Sequence, residues 1–153
     1  MTKRALTFPG QGSQAVGMGQ ELANEFAEAR AVFEEVDAAL ETKLSAIMFE
    51  GPEETLRLTE NAQPALMAVS MAVVRVLEAK GVKIADIADY VAGHSLGEYS
   101  ALCAAGSLSI SDTARLLQTR GRAMQQAVPV GEGAMAAILG LELADVGEVA
   151  AAA

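Results

Sequence analysis

The feature that most constrains the fold is the pentapeptide Gly93-His94-Ser95-Leu96-Gly97. A strand-like apolar run (87–92) precedes it, and a helix-like run (98–105) follows it. G-x-S-x-G between a strand and a helix predicts a nucleophile elbow, a turn so sharp that the serine backbone is strained. The two glycines leave room for the turn, because a Cβ at either position would clash with the neighbouring strand or helix. We therefore expect the Ser95 hydroxyl to lie above the sheet, at the positive end of the following helix.

The same residues also fit a simpler role. Ser95-Leu96-Gly97-Glu98 matches the S-x-x-E capping box, in which Ser95 would only cap a helix. A cap does not need the two glycines, and Gly97 near the start of a helix is a poor helix former. The elbow is therefore the favoured interpretation, and in it the backbone N–H of Leu96 would point to where an oxyanion forms.

Composition bounds the class of protein. The 153 residues, 52% of them hydrophobic, suffice for one domain with a core. A net charge of −9 with 11 basic residues gives no basic patch for nucleic acid. The single cysteine excludes an internal disulfide and fits a reducing compartment. Pro9-Gly10 comes too early for a signal peptide, and the apolar run 64–74 is too short to span a bilayer. We expect a soluble, cytoplasmic protein that binds neither membrane nor nucleic acid.

Hydrophobic periodicity predicts strands alternating with helices. The first predicted elements are a strand at 5–8, a glycine-rich loop at 9–14, one long amphipathic helix from Leu22 to Leu40 and helical pieces at 44–49 and 53–58. An apolar helix follows from Asn61 to Lys80, with Pro64 in its first turn. After the elbow we expect a helix from Ser111 with a core stripe ending at Val128, a break at 129–133, a strand at 134–140 and a helix from Leu143. The helix from Asn61 is apolar nearly all round, so we expect it to be buried against the sheet. Seven acidic residues predict a solvated face on the long helix: Glu21, Glu25, Glu28, Glu34, Glu35, Asp37 and Glu41.

Arg120 can be placed from helix dimensions. The helix after Ser95 would climb about 16 Å, and the return helix from Ser111 would descend about 14 Å before Arg120. Arg120 would thus return to the level of the serine, whereas Arg115 and Arg122 would point away. One inward arginine beside a nucleophile suits a substrate that carries a carboxylate. The alternative is a structural ion pair.

The remaining polar residues give weaker signals. Gln11 follows the first strand, where α/β folds bring ligand-binding loops to the carboxyl edge of the sheet, and it could be a second oxyanion donor. His94 adjoins Ser95 and would point to a different side, so it is a poor candidate for the base. Cys103 is interpreted as a small core residue. No cluster has metal-ligand spacing, so we expect neither a metal nor a cofactor.

Six stretches, taken in order, resemble one enzyme family: 8–14, 63–65, 93–101, 120–121, 124–125 and 133–137. The chain resembles the malonyl-CoA:acyl carrier protein transacylases of fatty-acid synthesis, which are related to polyketide synthase acyltransferase domains. The resemblance implies an α/β-hydrolase-like subdomain over 1–130, with a parallel sheet flanked by helices. It also implies that 131–153 begin a smaller, ferredoxin-like α+β subdomain.

The resemblance further implies a ping-pong reaction, in which malonyl moves from coenzyme A to Ser95 and then to the phosphopantetheine thiol of acyl carrier protein. Gln11 and Leu96 would supply backbone N–H groups to the oxyanion, Arg120 would hold the malonyl carboxylate, and Gln63 would lie nearby. The family's catalytic histidine and a further glutamine lie downstream in a longer chain. Nothing in this sequence supplies these two residues. We therefore expect an N-terminal portion of such an enzyme, with the missing C-terminal half as a partner.

Two other functions stay open. A serine esterase-type hydrolase uses the same elbow, although an apolar acyl pocket has no use for an inward arginine. A non-catalytic half-domain that needs a partner chain would explain why no base is found in this sequence.

Overall fold

Helices make up most of the computed structural model, which describes residues 2–128 and 138–152. The elements are β1 (Ala5–Phe8), α1 (Gln20–Glu25), α2 (Ala27–Leu40), α3 (Leu44–Glu50), α4 (Glu53–Arg57), α5 (Thr59–Ala79), α6 (Ile84–Ile87), β2 (Tyr90–Gly93), α7 (Gly97–Ala104), α8 (Ile110–Ala127) and α9 (Leu143–Ala152). The predicted break at 129–133 and the proposed start of the second subdomain near residue 131 lie outside the described residues. Of the strand predicted at 134–140, only 138–140 are described, and they are not a strand.

The small sheet pairs β1 with β2 in parallel, with Ala5 opposite Tyr90 and Phe8 opposite Gly93. A parallel pair needs a long crossover, which α1 to α6 provide. β1 has the predicted bounds, but the second strand begins later than predicted, since Ile87 ends α6. Asp89 lies just before this strand, and its side chain takes the place of a backbone acceptor for Arg4. Its N–H donates to the Arg4 carbonyl at 2.9 Å, while the Arg4 N–H donates to the Asp89 carboxylate at 2.9 Å.

The core lies between α2, α5 and α8. Its buried side chains include Val32, Phe33, Val36, Leu66, Met67, Met71, Ala114 and Leu117. The prediction that α5 packs against the sheet is wrong, because α5 packs mainly against α2 and α8. By length and composition α5 could cross a membrane, so the sequence argument from a short apolar run does not hold. The burial of 61% of that stretch inside the chain is typical of a core helix instead.

The prediction of one long helix from Leu22 to Leu40 is wrong in one respect, because the structure has two helices there, α1 and α2, with a break at Phe26. Phe26 is extended, with φ −121° and ψ 123°. Arg30 stabilises the break by donating from Nε to the Ala23 carbonyl at 3.2 Å, at the end of α1. The apolar spacing continues through the break, so periodicity alone could not reveal it.

The acidic face also differs at one position. Asp37 is buried, and its carboxylate accepts hydrogen bonds from the N–H and the hydroxyl of Ser45 at 2.8 and 2.7 Å. The Asp37 carboxylate thereby caps the first turn of α3. It also forms a salt bridge with Lys43, whose Nζ lies 3.7 Å from Asp37 Oδ2. The other six acidic residues of the predicted face are exposed.

Two helix starts differ from the sequence prediction. α5 begins at Thr59, so Pro64 lies in the second turn and removes the N–H that would bond to Glu60. α8 begins at Ile110, since the N-cap is Ser109, whose hydroxyl accepts from the Asp112 N–H at 3.0 Å. The stripe of α8 is buried at Ala114, Leu117 and Gly121, but Val128 is exposed.

Candidate active site

The turn after β2 has the geometry of a nucleophile elbow. Ser95 adopts φ 56°, in the left-handed region that non-glycine residues rarely occupy. A Cβ on Gly93 would run into the backbone of Gly97, and a Cβ on Gly97 would run into the Phe8 carbonyl and approach the Pro9 carbonyl to 2.8 Å. Both glycines are therefore required by the close approach of strand, turn and helix, as the sequence motif predicted.

Ser95 does not act as a helix cap. The residue at the N-cap of α7 is Leu96, whose side chain makes no capping hydrogen bond. The Ser95 Oγ instead accepts a hydrogen bond from Arg120 Nη2 at 3.0 Å. The capping-box alternative is therefore wrong.

Of the two predicted oxyanion donors, Leu96 lies in the elbow itself and Gln11 lies in the loop after β1. Within the described part of the chain, the backbone N–H groups of Leu96 and Gln11 donate no hydrogen bond to protein atoms. The loop that carries Gln11 lies against the elbow, since a Cβ on Gly10 would run into His94 Nδ1 and approach the His94 carbonyl to 3.1 Å. Both N–H groups are thus free to donate to a ligand, and their catalytic role stays a prediction.

Arg120 reaches Ser95 because α8 approaches α5 closely. A Cβ on Gly121 would lie 2.6 Å from Glu60 Cα and 2.7 Å from the Thr59 carbonyl, so only glycine fits there. The adjacent Arg120 donates from Nη1 to Gln63 Oε1 at 2.7 Å and from Nη2 to Ser95 Oγ at 3.0 Å. The helix arithmetic thus gave the correct level for this side chain.

Neutral groups hold the Arg120 guanidinium. Its carbon Cζ lies 5.8 Å from the centre of the Tyr99 ring, and no carboxylate lies within 4.0 Å of it among the described residues. The two other arginines of α8 do form ion pairs, Arg122 with Glu60 at 2.8 Å and Arg115 with Asp112 at 3.4 Å. The structural ion-pair alternative therefore fits the outward arginines and not Arg120. A half-buried guanidinium without an acid beside it can receive a carboxylate ligand.

Gln63 is more central than the sequence suggested. Its side chain is fully buried, and it lies on α5 with its amide oxygen on Arg120. Its amide nitrogen Nε2 donates to the sulfur of Met124 at 3.4 Å. Sequence reasoning missed this contact of Met124, although the spacing of four residues from Arg120 puts both side chains on one face of α8.

The other candidate side chains make no hydrogen bond with the Ser95 hydroxyl among the described residues. Gln11 is exposed, and its amide nitrogen donates to Thr59 Oγ1 at 3.5 Å. His94 packs on Gly10 and makes no hydrogen bond with Ser95 within the described residues. Cys103 is buried, and this burial raises the pKa of its thiol. Over the described ranges, no three His, Cys, Asp or Glu residues cluster in a way that could hold a metal ion.

A comparison with protein families matches this arrangement. The sequence model for the acyl transferase domain matches residues 6–152. The chain belongs to this acyl transferase family. The strained serine, the close glycines and the inward arginine all lie within the matched residues.

Two curated relatives carry the same name. The chain is 54% identical over 142 residues to the malonyl CoA-acyl carrier protein transacylase of Bacillus subtilis, covering 93% of this chain and 44% of the relative. It is 47% identical over 146 residues to the protein of the same name in Escherichia coli K12, covering 95% and 46%. This confirms the resemblance drawn from the six motifs. The chain spans about half the length of the curated relatives it matches.

Solved structures agree with these relatives. An acyl-carrier-protein-S-malonyltransferase from Bartonella henselae superposes with a TM-score of 0.90 at 63% identity, over 97% of this chain and 47% of the other. A malonyl-transacylase in complex with a type II polyketide synthase acyl-carrier protein gives a TM-score of 0.87 at 43% identity, over 99% and 48%. The described elements therefore have the fold of the corresponding half of these enzymes.

Proposed function

We propose that the protein containing this chain transfers a malonyl group from coenzyme A to the phosphopantetheine thiol of acyl carrier protein, through an ester on Ser95. The observation that carries the proposal is the contact between Arg120 and Ser95, in which a guanidinium held by neutral partners lies 3.0 Å from a strained serine. The names of the relatives add the substrate and the acceptor.

In the first half of the reaction, the Ser95 hydroxyl attacks the thioester carbon of malonyl-CoA. The backbone N–H groups of Leu96 and Gln11 stabilise the oxyanion of the tetrahedral intermediate. The C–S bond then breaks, coenzyme A leaves as the thiol, and malonyl stays on Ser95 as an ester. In the second half, the carrier-protein thiol attacks the ester carbon, and the serine hydroxyl is regenerated.

A serine hydroxyl needs an adjacent base to be a good nucleophile at neutral pH. The only histidine of this sequence is His94, which packs against Gly10. We propose that the base is a histidine outside these 153 residues, in the C-terminal half that the resemblance implies. The proton of Ser95 would pass to that histidine and then to the departing thiol.

Arg120 gives the site its preference for a carboxylate. The planar guanidinium can hold both oxygens of the malonyl carboxylate through two parallel N–H···O bonds. An esterase that acts on apolar acyl groups would leave this cation without an anionic partner in its acyl pocket. This argument favours the transferase over the hydrolase.

For the fold, we propose that β1 and β2 belong to an α/β-hydrolase-like parallel sheet over 1–130, and that 131–153 begin a ferredoxin-like subdomain. The parallel pairing of β1 with β2 and the elbow after β2 support the first part. The likeness to malonyltransferase structures supports both parts.

The test is acyl selectivity in the complete protein. Loss of one partner of a buried charged pair costs about 2–5 kcal/mol, so Arg120→Ala should lower malonyl transfer by about one to several decades. Acetyl transfer should fall much less, because acetyl has no carboxylate. The matched control is Arg122→Ala on the same helix, which removes an exposed ion pair and should change neither rate by more than about twofold. Equal losses of malonyl and acetyl transfer in Arg120→Ala would contradict the proposal.

A further inference from the structure

The buried amide of Gln63 has one acceptor and one donor side, and each contacts a different residue of α8. Oε1 accepts from Arg120 Nη1 at 2.7 Å, and Nε2 donates to Met124 Sδ at 3.4 Å. The Gln63 side chain is 0% exposed, so water does not reach this amide. Its orientation therefore depends on these two contacts.

A thioether sulfur accepts hydrogen bonds weakly and cannot donate them. Met124 can thus pair only with the NH2 end of Gln63, whereas Arg120 can pair only with the carbonyl end. A flipped amide would set NH2 against the guanidinium and the carbonyl oxygen against sulfur. Both contacts therefore favour the same orientation.

Arg120 and Met124 are four residues apart, so they extend from one face of α8 and enclose the amide between them. Gly121 lets this face approach α5 closely enough for both contacts. The next residue, Gln125, accepts from the Glu60 N–H at 3.4 Å and holds the same pair of helices together. The geometry is therefore built around Gln63 and does not arise from a loose surface contact.

We propose that Met124 is a positioning residue for acyl selectivity. Its sulfur holds the Gln63 amide, the amide oxygen holds Arg120, and the guanidinium is thereby kept beside Ser95. Met124 makes no hydrogen bond with Ser95 among the described residues, so it would act through Gln63 and Arg120. Its effect on selectivity rests on the proposed malonyl transfer, whereas its effect on the amide does not.

Met124→Leu keeps the apolar volume and removes the acceptor. The matched control is Met71→Leu, because Met71 is buried on α5 and makes no recorded polar contact within the described chain. Met124→Gln provides a rescue, since its amide oxygen can accept from Gln63 Nε2.

The first measurement is solvent exchange of the Gln63 side-chain NH2 by ¹⁵N NMR, with the signal assigned through its loss in Gln63→Ala. In the complete protein, Met124→Leu should speed this exchange about tenfold or more, because a protected N–H loses its acceptor. Met71→Leu should leave the exchange unchanged, and Met124→Gln should restore slow exchange. Equal exchange in Met124→Leu and Met71→Leu would overturn the proposed hydrogen bond.

The second measurement is the ratio of malonyl to acetyl transfer. Met124→Leu should lower this ratio about 3- to 10-fold, with Met71→Leu unchanged and Met124→Gln closer to the original protein. Faster amide exchange with an unchanged ratio would overturn the positioning role. A parent protein that transfers neither acyl group would contradict the proposed function instead, and the exchange measurement, which needs no turnover, would still decide whether Met124 holds Gln63.

Discussion

The two walls of the site are built in different ways. The elbow wall, formed by residues 9–14 and 93–97, is held by backbone packed on backbone, with glycine wherever a Cβ would meet main-chain atoms. In the helix wall, formed by Gln63, Arg120 and Met124, side-chain hydrogen bonds hold the polar groups, on two helices (α5 and α8) whose close approach is set by Gly121. The comparison teaches that the position of Ser95 depends on main-chain geometry, whereas the position of the Arg120 guanidinium also depends on side chains that can be changed one at a time.

The difference also explains where strain is tolerated. Ser95 keeps a positive φ because the surrounding main chain leaves it little alternative, and such strain persists only where neighbours over-determine it. The helix wall shows no such strain at its three residues within the described structure. We therefore expect substitutions in the elbow wall to have all-or-none effects on stability and acyl transfer, and substitutions in the helix wall to have graded effects on them.

The largest effect should come from Gly97→Ala. The new Cβ would meet the carbonyls of Phe8 and Pro9, which are main chain and cannot move aside cheaply. We expect a loss of about 3 kcal/mol or more in the free energy of unfolding, and at least a 100-fold loss of transfer in any folded product. Urea unfolding and acyl-transfer assays would measure both.

The matched control for that variant is Gly147→Ala, since a Cβ there meets nothing within 4 Å and the residue lies in α9. It should be neutral or stabilising by up to about 1 kcal/mol. Near-normal transfer in Gly97→Ala would break the distinction between the two walls.

An intermediate effect is expected from Gly121→Ala, which tests how the helix wall is attached. The Cβ would lie 2.6 Å from Glu60 Cα, so α8 must shift away from α5 by a few tenths of an ångström or more. We expect a loss of about 1–3 kcal/mol in unfolding free energy and a lower malonyl-to-acetyl ratio, because Arg120 moves with α8. A destabilised protein with an unchanged ratio would show that Arg120 does not depend on this approach.

The smallest effect concerns Cys103, in the helix that follows the elbow. Burial raises the pKa of this thiol, so at neutral pH less of it is the reactive thiolate. Alkylation by iodoacetamide should be at least about tenfold slower in the folded protein than in urea, and should accelerate as the pH rises. The folded state holds this proton more tightly than the unfolded chain, so the stability it contributes is present below the unfolded pKa and is lost as the pH rises through the folded pKa. Equal alkylation rates with and without urea at neutral pH would contradict the tight packing of α7.

The elbow could be predicted from sequence, because the G-x-S-x-G motif itself restricts the turn. A Cβ on Gly93 would meet Gly97 within the motif, and a Cβ on Gly97 would meet Phe8 and Pro9 at the end of the neighbouring strand β1. Arg120 could also be placed, since a hairpin of two helices returns to its starting level by a fixed rise per residue.

The rest depended on contacts between distant residues. At the break near Phe26, the end of α1 is stabilised by a hydrogen bond from Arg30 of the next helix. The burial of Asp37 depends on its hydrogen bond from Ser45, which lies across a turn. The partnership of Gln63 with Met124 joins residues 61 positions apart, so no local pattern could reveal it. The start of α8 was predicted at Ser111, whereas the hydrogen bond from the Asp112 N–H to the Ser109 hydroxyl makes Ser109 the N-cap.

The central claim is that Ser95 carries the acyl group, and intact-protein mass spectrometry with peptide mapping tests it most directly. The complete protein would be incubated with malonyl-CoA in the absence of carrier protein, beside Ser95→Ala as the control. We expect one malonyl group per chain, on the peptide that contains Ser95, and none on the variant. Malonyl on Cys103, or equal labelling of the parent protein and Ser95→Ala, would contradict the account.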